Sequence, residues 1–267
     1  MKLQRLAAVA LRQFYLIRGS LSRVLPLFAW VAVDMVLWGF LTRYLDSVTS
    51  RGFDFVSTLL GAVLLWDFFT RVMQGVTMAF FEDVWSRNFL NFFATPLRIS
   101  EYLGGLVVSS VATSSVGLAV MLALATLVFG LSFLSYGLIV IPILLVLFVF
   151  GIAMGILGAA IVLRLGPAAE WFIWPIPAMV APFAGVFYPV SVLPRWMRAV
   201  SRGLPPAYVF EALRAVAAGK PAPVGGLWTG AFLSALDVAL ACWVLASTYR
   251  YAVRTGLIAR YSAETVS

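Results

Sequence analysis

Six long apolar segments dominate the sequence and determine the solvent in which the chain can fold. They cover residues 24–41, 55–80, 102–129, 137–163, 171–187 and 227–248. A helix of about 20 residues crosses the hydrocarbon core of a bilayer, where every backbone amide needs a partner within its own segment. Long continuous runs favour helices over the short alternating strands of a barrel. The sequence therefore predicts an all-α polytopic membrane protein with six transmembrane helices.

The composition agrees with this class and excludes several others. Of the 267 residues, 63% are hydrophobic and only 11% are charged, whereas roughly a quarter are charged in soluble domains. The formal net charge of +8 gathers at the termini and in one late loop, which favours contact with anionic lipid headgroups over nucleic acid. The chain has no histidine and one cysteine, Cys242. We therefore expect no internal disulfide, no histidine-based triad and no metal site.

The segments that flank the spans predict further helices. Residues 3–20 place Arg5 and Arg12 on one face and apolar side chains on another, which predicts an amphipathic helix on the membrane surface. Residues 188–226 hold two short amphipathic stretches separated by a Gly-Leu-Pro sequence, which predicts an outer re-entrant helical hairpin. The fifth span is rich in proline, so we expect it to be kinked or broken.

We treat residues 1–267 as one domain. Its predicted parts are the surface helix 1–23, spans one to five within 24–187, the hairpin 188–226, the sixth span 227–249 and a cytoplasmic tail 250–267. Lysine and arginine number eleven in the segments on the side of the termini and seven in the loops on the other side. Because positive residues favour the cytoplasm, this bias predicts that both termini are cytoplasmic.

Four ionisable residues lie inside predicted spans, where a charge is costly and often functional. Asp67 and Arg71 are four residues apart, so they share a helix face and can pair. Asp34 and Asp237 have no partner that the sequence reveals. Either could line a polar cavity or form a bond to a neighbouring helix.

The sequence contains no motif for binding and hydrolysing a nucleotide. A phosphate-binding loop needs glycines followed by Lys and Ser or Thr, and neither lysine, Lys2 or Lys220, stands in such a motif. We also find no cluster of metal-binding spacing and no Gly-x-Ser-x-Gly elbow. We therefore expect that this chain is not itself an enzyme and binds no cofactor. An ion-coupled secondary transporter remains an alternative, as does a membrane-embedded scaffold or enzyme, although only one span shows the broken-helix signature that transporter repeats usually share.

The loop between the second and third spans carries an aromatic stripe that ends at Thr95-Pro96. The stripe consists of Phe81, Trp85, Phe89 and Phe92, and the polar face consists of Asp83, Arg87 and Asn91. This spacing predicts a short amphipathic helix. Such a helix could lie on lipid or dock into a groove of a partner, and the spacing leaves both open.

Two groups of residues resemble the permease subunits of type-2 ABC exporters, the drug, polysaccharide and lipid-conjugate group. The first group follows the second span and comprises Glu82, Asp83, Arg87, Thr95, Pro96, Leu97 and Glu101. The second follows the fifth span and comprises Tyr188, Pro189, Leu193, Pro194, Leu204, Pro205, Tyr208, Glu211 and Arg214. The order of these motifs and the six-span plan make the resemblance extend over nearly the whole chain.

The resemblance implies a role for each group. Residues 82–95 would form a coupling helix on a separate ATPase, with contacts from Glu82, Asp83, Trp85, Arg87, Asn88, Phe89, Thr95, Pro96, Leu97 and Glu101. The hairpin would form an outer gate that includes Tyr188, Pro189, Pro194, Trp196, Pro205, Tyr208, Glu211 and Arg214. Apart from the resemblance, the cost of intramembrane charge makes Asp34, Asp67, Arg71 and Asp237 candidates for pathway or structural intramembrane polar residues.

The resemblance also implies an assembly. Two ATPase subunits that hold ATP and Mg would join two permease chains, most simply a homodimer, in a bacterial inner membrane. The cargo would be a lipid-like, glycolipid or hydrophobic drug-like molecule.

Overall fold

The computed structural model describes residues 2–48, 56–86, 91–92, 95–131 and 133–257. Within these ranges the chain is helical and contains no β-strand, which confirms the predicted all-α class. The predicted site residues Arg87, Asn88 and Phe89 lie outside the described residues.

Ten α-helices follow one another along the described chain. They are α1 Leu3–Arg18, α2 Leu21–Val48, α3 Gly61–Trp85, α4 Ile99–Phe129, α5 Val140–Leu165, α6 Glu170–Ile173, α7 Pro175–Ala184, α8 Arg195–Ser201, α9 Pro205–Ala217 and α10 Val224–Arg254. A π-helical turn, Val56–Leu60, leads into α3, and 3₁₀ turns occupy Phe133–Ile139, Gly166–Ala169 and Val190–Val192.

Four helical segments of the described chain are long and apolar enough to cross a membrane. They are Thr58–Trp85, Ile99–Phe129, Tyr136–Leu165 and Val224–Arg254, which correspond to the predicted second, third, fourth and sixth spans. Helix α2 covers the predicted first span and contains 28 residues, about 42 Å at 1.5 Å per residue. The total of six spans stays a prediction.

The predicted fifth span is broken, as its prolines led us to expect. Helices α6 and α7 meet at Trp174, and α7 ends before Gly185, which has a positive φ of 62°. Together the two helices extend over about 22 Å, less than the roughly 30 Å of a hydrocarbon core. This segment is therefore too short to cross a bilayer as one straight helix.

Helices α3 and α5 pack closely against each other. Gly151, Gly155 and Gly158 of α5 face Val72, Val76 and Thr77 of α3, and a β-carbon added at Gly155 would stand 2.8 Å from Val76 Cβ. The hydroxyl of Thr77 donates to the Gly155 carbonyl oxygen over 3.1 Å. Small residues at spacings of three and four allow such close approach, because they remove the side chains that separate helix backbones.

The bundle has two distinguishable ends. Asp83, near the end of α3, and Glu101, near the start of α4, meet α1 at one end, here named the α1 end. At the other end Leu213 of α9 packs beside Gly61, the first residue of α3, so this is the hairpin end. The predicted hairpin helices are present as α8 and α9, whereas the re-entrant position of the hairpin stays a prediction.

Candidate functional site

The predicted coupling helix, residues 82–95, does not begin as a separate helix at residue 82. Helix α3 continues through Trp85, and the Ser86 amide still donates to the Glu82 carbonyl oxygen over 2.8 Å. Glu82, Asp83 and Trp85 therefore lie in the last turn of a long helix, not at the start of a separate one. The reason is that apolar residues such as Phe81 and Val84 continue the buried face of α3 beyond the predicted end of the span.

Asp83 is the centre of a buried ionic cluster at the α1 end. It is 1% exposed, and its Oδ1 and Oδ2 accept from the Arg12 guanidinium over 2.5 and 2.9 Å. The Tyr102 hydroxyl donates to Oδ2 over 2.6 Å. Burial alone lowers the pKa of Arg12, but the hydrogen bond and the charge of Asp83 raise that pKa overall. Asp83 therefore holds α1 against α3 and α4.

Glu101 forms a second anchor for α1. It is also 1% exposed and accepts from the Lys2 amide over 2.8 Å and from the Arg98 amide over 3.2 Å. The Arg5 guanidinium lies 3.2 Å from Glu101 Oε2 and donates to the Pro96 carbonyl oxygen as well. One carboxylate thus joins the start of α1, the turn at Pro96 and the first turn of α4.

The Thr-Pro-Leu turn is held between these two anchors. The Thr95 hydroxyl donates to the Phe92 carbonyl oxygen over 2.6 Å. The Arg12 guanidinium carbon lies 4.6 Å from the centre of the Phe92 ring, a cation–π distance. A cavity of about 350 Å³ separates α1 from this turn, lined by Arg5, Ala8, Val9, Arg12, Phe92, Thr95, Pro96 and Leu97.

Burial divides the predicted ATPase contacts into two groups. Asp83 and Glu101 are buried by α1, so a partner protein has no access to them. Trp85 is 53% exposed, and Thr95 and Pro96 are exposed as well, while Glu82 and Leu97 are half-buried. Of the predicted contacts that the structure describes, those that are exposed to a partner are therefore Trp85 and the Thr95-Pro96 turn.

The sequence did not identify Arg5, Arg12 and Tyr102 as parts of this site. We assigned the arginines of the first helix to lipid headgroups, whereas in the structure Arg5 and Arg12 bind carboxylates. The available signal was their seven-residue spacing. It equals about two helical turns and places both arginines on one face of the helix, where two acceptors can lie side by side. No local pattern connects Tyr102 with Asp83, because the contact depends on the packing of α3 against α4.

The intramembrane charges divide into a group of three and one separate residue. Asp34 of α2 lies near enough to interact electrostatically with both Arg71 and Asp67 of α3. All three line a cavity of about 580 Å³, so Asp34, for which the sequence revealed no partner, joins the predicted Asp67–Arg71 pair. Asp237 lies on α10, is half-buried and does not line this cavity.

The predicted gate residues form a compact hydrogen-bonded corner at the hairpin end. Arg214 donates to the Gly185 carbonyl oxygen over 2.7 Å and to Glu211 over 3.0 Å. Glu211 accepts from the Val190 amide over 2.8 Å. These bonds fix the left-handed turn at Gly185, where α7 ends.

The other predicted gate residues lie around this corner. The Tyr188 hydroxyl donates to the Pro182 carbonyl oxygen over 2.9 Å, and the Tyr208 hydroxyl donates to the Arg202 carbonyl oxygen over 2.8 Å. The Trp196 ring lies 6.0 Å from the Phe183 ring. The prolines stand at helix starts: Pro189 precedes the 3₁₀ turn Val190–Val192, Pro194 precedes α8, and Pro205 begins α9. Whether this corner gates a pathway stays a prediction.

Replacement of Arg214 by methionine is expected to destabilise the protein by about 2 kcal/mol, because the Gly185 carbonyl oxygen loses a charged donor. The matched control is Arg202→Met, which removes an exposed guanidinium from the same hairpin and should change stability by less than about 0.5 kcal/mol. Thermal unfolding of both variants in detergent micelles measures the difference. Equal shifts for the two variants would contradict the assigned role of Arg214.

The described fold defines the class of the protein. It is a polytopic α-helical membrane protein whose amphipathic first helix, α1, is held at one end of the bundle by ion pairs to Asp83 and Glu101. The model of the ABC-2 type transporter family matches residues 6–217, which include most of α1, the loop after α3 and helices α8 and α9. This match covers most of the chain, which therefore belongs to the ABC-2 type transporter family and is the transmembrane permease component of an ABC exporter. The matched domain is a permease domain, not a nucleotide-binding domain. No curated protein matches the chain.

Proposed function

We propose that this permease is driven by a separate ATPase subunit that binds at the α1 end, through Trp85 and the Thr95-Pro96 turn. The main support is the combination of an exposed aromatic side chain with a backbone turn that is tied to two helices. Trp85 closes α3, and Arg5 and Glu101 tie the turn at Pro96 to α1 and α4. A force applied at this surface would reach the spanning helices directly.

The same proposal includes the orientation and the assembly. The α1 end faces the cytoplasm of a bacterium, both termini lie there, and two permease chains pair with two ATPase subunits that bind ATP and Mg. The excess of positive residues on the side of the termini supports the orientation. The cargo is a lipid-like, glycolipid or drug-like amphiphile that passes near the cavity formed by Asp34, Asp67 and Arg71.

The decisive experiment is purification of the tagged full chain from its native membranes, followed by reconstitution into liposomes. We expect a co-purified subunit with a phosphate-binding lysine loop, and ATP hydrolysis that requires both polypeptides. Solute movement by the permease alone, driven by an ion gradient, would overturn the proposal in favour of a secondary transporter.

The contact surface can be tested through one side chain. Replacement of Trp85 by alanine is expected to weaken binding of the co-purified ATPase about 30-fold, because a central tryptophan is a typical interface hot spot. The matched control is Trp228→Ala, an exposed tryptophan near the start of α10 at the hairpin end. Titration of labelled permease in nanodiscs with the ATPase measures both affinities. An unchanged affinity for the Trp85 variant would remove this residue from the contact surface.

A further inference from the structure

A cavity bordered by charged side chains lies among the long helices of the described chain. Its volume is about 580 Å³, within the roughly 300–1,000 Å³ of ordinary ligand sites. The walls come from α2, α3 and α4 and from Trp174 at the junction of α6 and α7. The lining residues are Trp30, Asp34, Asp67, Thr70, Arg71, Gln74, Gly75, Met78, Thr113, Ser114 and Trp174.

The charges around this cavity do not balance. Asp34 and Asp67 contribute two carboxylates and Arg71 contributes one guanidinium, so the ionised group carries a net charge of −1. Asp67 Oδ2 is buried and accepts no hydrogen bond from the residues that the structure describes. Ionisation of a buried carboxylate without a full set of partners is costly, and a cation bound in the cavity would offset that cost.

Aromatic side chains border the same cavity. Trp30 and Trp174 line the cavity and are both more than half exposed, so a molecule in the cavity can contact their indole rings. Indole faces attract organic cations, and the attraction strengthens where water is excluded. Thr70, Gln74, Thr113 and Ser114 add uncharged polar groups to the walls. Acid and indole together are the chemistry that recognises an alkylammonium, phosphonium or amidinium group.

We infer that this cavity binds the positively charged group of an amphiphilic organic cation, and that such cations are a cargo class of the transporter. The assignment to cargo rests on the proposed exporter function, whereas binding itself does not depend on the ATPase. Asp34 and Asp67 provide the charge, and Trp30 and Trp174 provide apolar contact. Arg71 interacts electrostatically with both carboxylates.

Two probes of equal shape and opposite charge test this inference. Tetraphenylphosphonium and tetraphenylborate are each dialysed against purified permease in nanodiscs, and the uptake by empty nanodiscs is subtracted. We expect saturable binding of the phosphonium alone. Asp34→Asn should weaken that binding by at least about tenfold, since one charge of the site is lost. Trp30→Leu should weaken it about threefold.

The matched control is Asp237→Asn, which neutralises a half-buried aspartate outside the cavity and should leave binding within about twofold. Saturable borate binding, or phosphonium binding that Asp34→Asn does not change, would overturn the inference. If Asp34→Asn instead abolished pairing of two permease chains and left binding intact, the cavity would belong to the contact between copies, and the inference would be wrong.

Because these measurements use the permease alone, their failure leaves the exporter proposal untouched. Conversely, if no ATPase subunit co-purifies from native membranes while the purified permease still binds the phosphonium, the binding site is retained and the proposed coupling to an ATPase is rejected. When the cation site and the exporter function are both correct, ATP-loaded liposomes should export the phosphonium. Asp34→Asn should reduce this export, and Asp237→Asn should not.

Discussion

Replacement of Arg12 by methionine is expected to lower the free energy of unfolding by about 3 kcal/mol, because breaking a buried ion pair leaves an uncompensated charge. Asp83 would keep only the Tyr102 hydroxyl among the described side chains that donate to it. The start of α1 would still be held at Glu101, so we expect the second half of α1 to separate from α3. Chemical unfolding in micelles measures the loss of stability.

The control for Arg12 stands on the same helix. Arg18 occupies the last turn of α1 and is exposed, so Arg18→Met should change stability by less than about 0.5 kcal/mol. A double-mutant cycle with Asp83→Asn isolates the pair, because the second substitution should cost much less once Arg12 is absent. Additive losses from the two substitutions would show that Arg12 and Asp83 do not act as a unit.

The Arg12 variant also tests the proposed route of coupling. If α1 links the ATPase contact surface to α4, its release should leave ATP hydrolysis by the complex in place and reduce export. The contrast with Trp85→Ala is informative, because that variant should lose binding of the ATPase itself. Full export by the Arg12 variant would mean that α1 has only a structural role.

Alanine at Gly155 is expected to destabilise the protein by about 2 kcal/mol, since overpacking of a close contact forces backbone shifts. The added β-carbon would stand 2.8 Å from Val76 Cβ and 2.9 Å from the Met73 carbonyl oxygen. The second contact is backbone, so a rotamer change cannot relieve it. The helices α3 and α5 would have to separate, which would also strain the Thr77 bond to Gly155.

A second glycine gives a control of opposite sign. Gly225, in the first turn of α10, has nothing within 4 Å of the position of a β-carbon. Alanine there should cost no stability and can add up to about 1 kcal/mol through helix propensity. Thermal unfolding of both variants in micelles compares them. Equal effects would show that helix propensity, and not the α3–α5 contact, determines the outcome at Gly155.

Much of the fold could be predicted because its signals are local. The apolar runs predicted the spanning helices α3, α4, α5 and α10, with ends that differ by a few residues. The prolines at 175 and 182 predicted the break in the fifth span. The placement of arginines on one helix face and of apolar residues on another predicted α1. The end of α3 was missed, because the apolar face continues to Val84 and no helix-breaking residue stands at the predicted end of the span.

The candidate site was only partly predictable, because its contacts join distant parts of the chain. Asp83 and Glu101 were identified as site residues, but as contacts for a partner, whereas the structure buries both under α1. Asp34 was identified without a partner, and the tertiary structure brings it near enough to interact electrostatically with Arg71. The three intramembrane residues thereby become the border of a single cavity.

The sequence by itself determined that this chain is a helical membrane protein, because hydropathy and backbone hydrogen bonding act within a single segment. Only the tertiary structure decided which charges meet: Arg12 and Asp83 are 71 residues apart and Arg5 and Glu101 are 96 apart. Such pairs depend on how helices cross, and crossing depends on small residues such as Gly155 that let two backbones approach. The side-chain pattern of one helix therefore does not predict which residues of another helix will contact it.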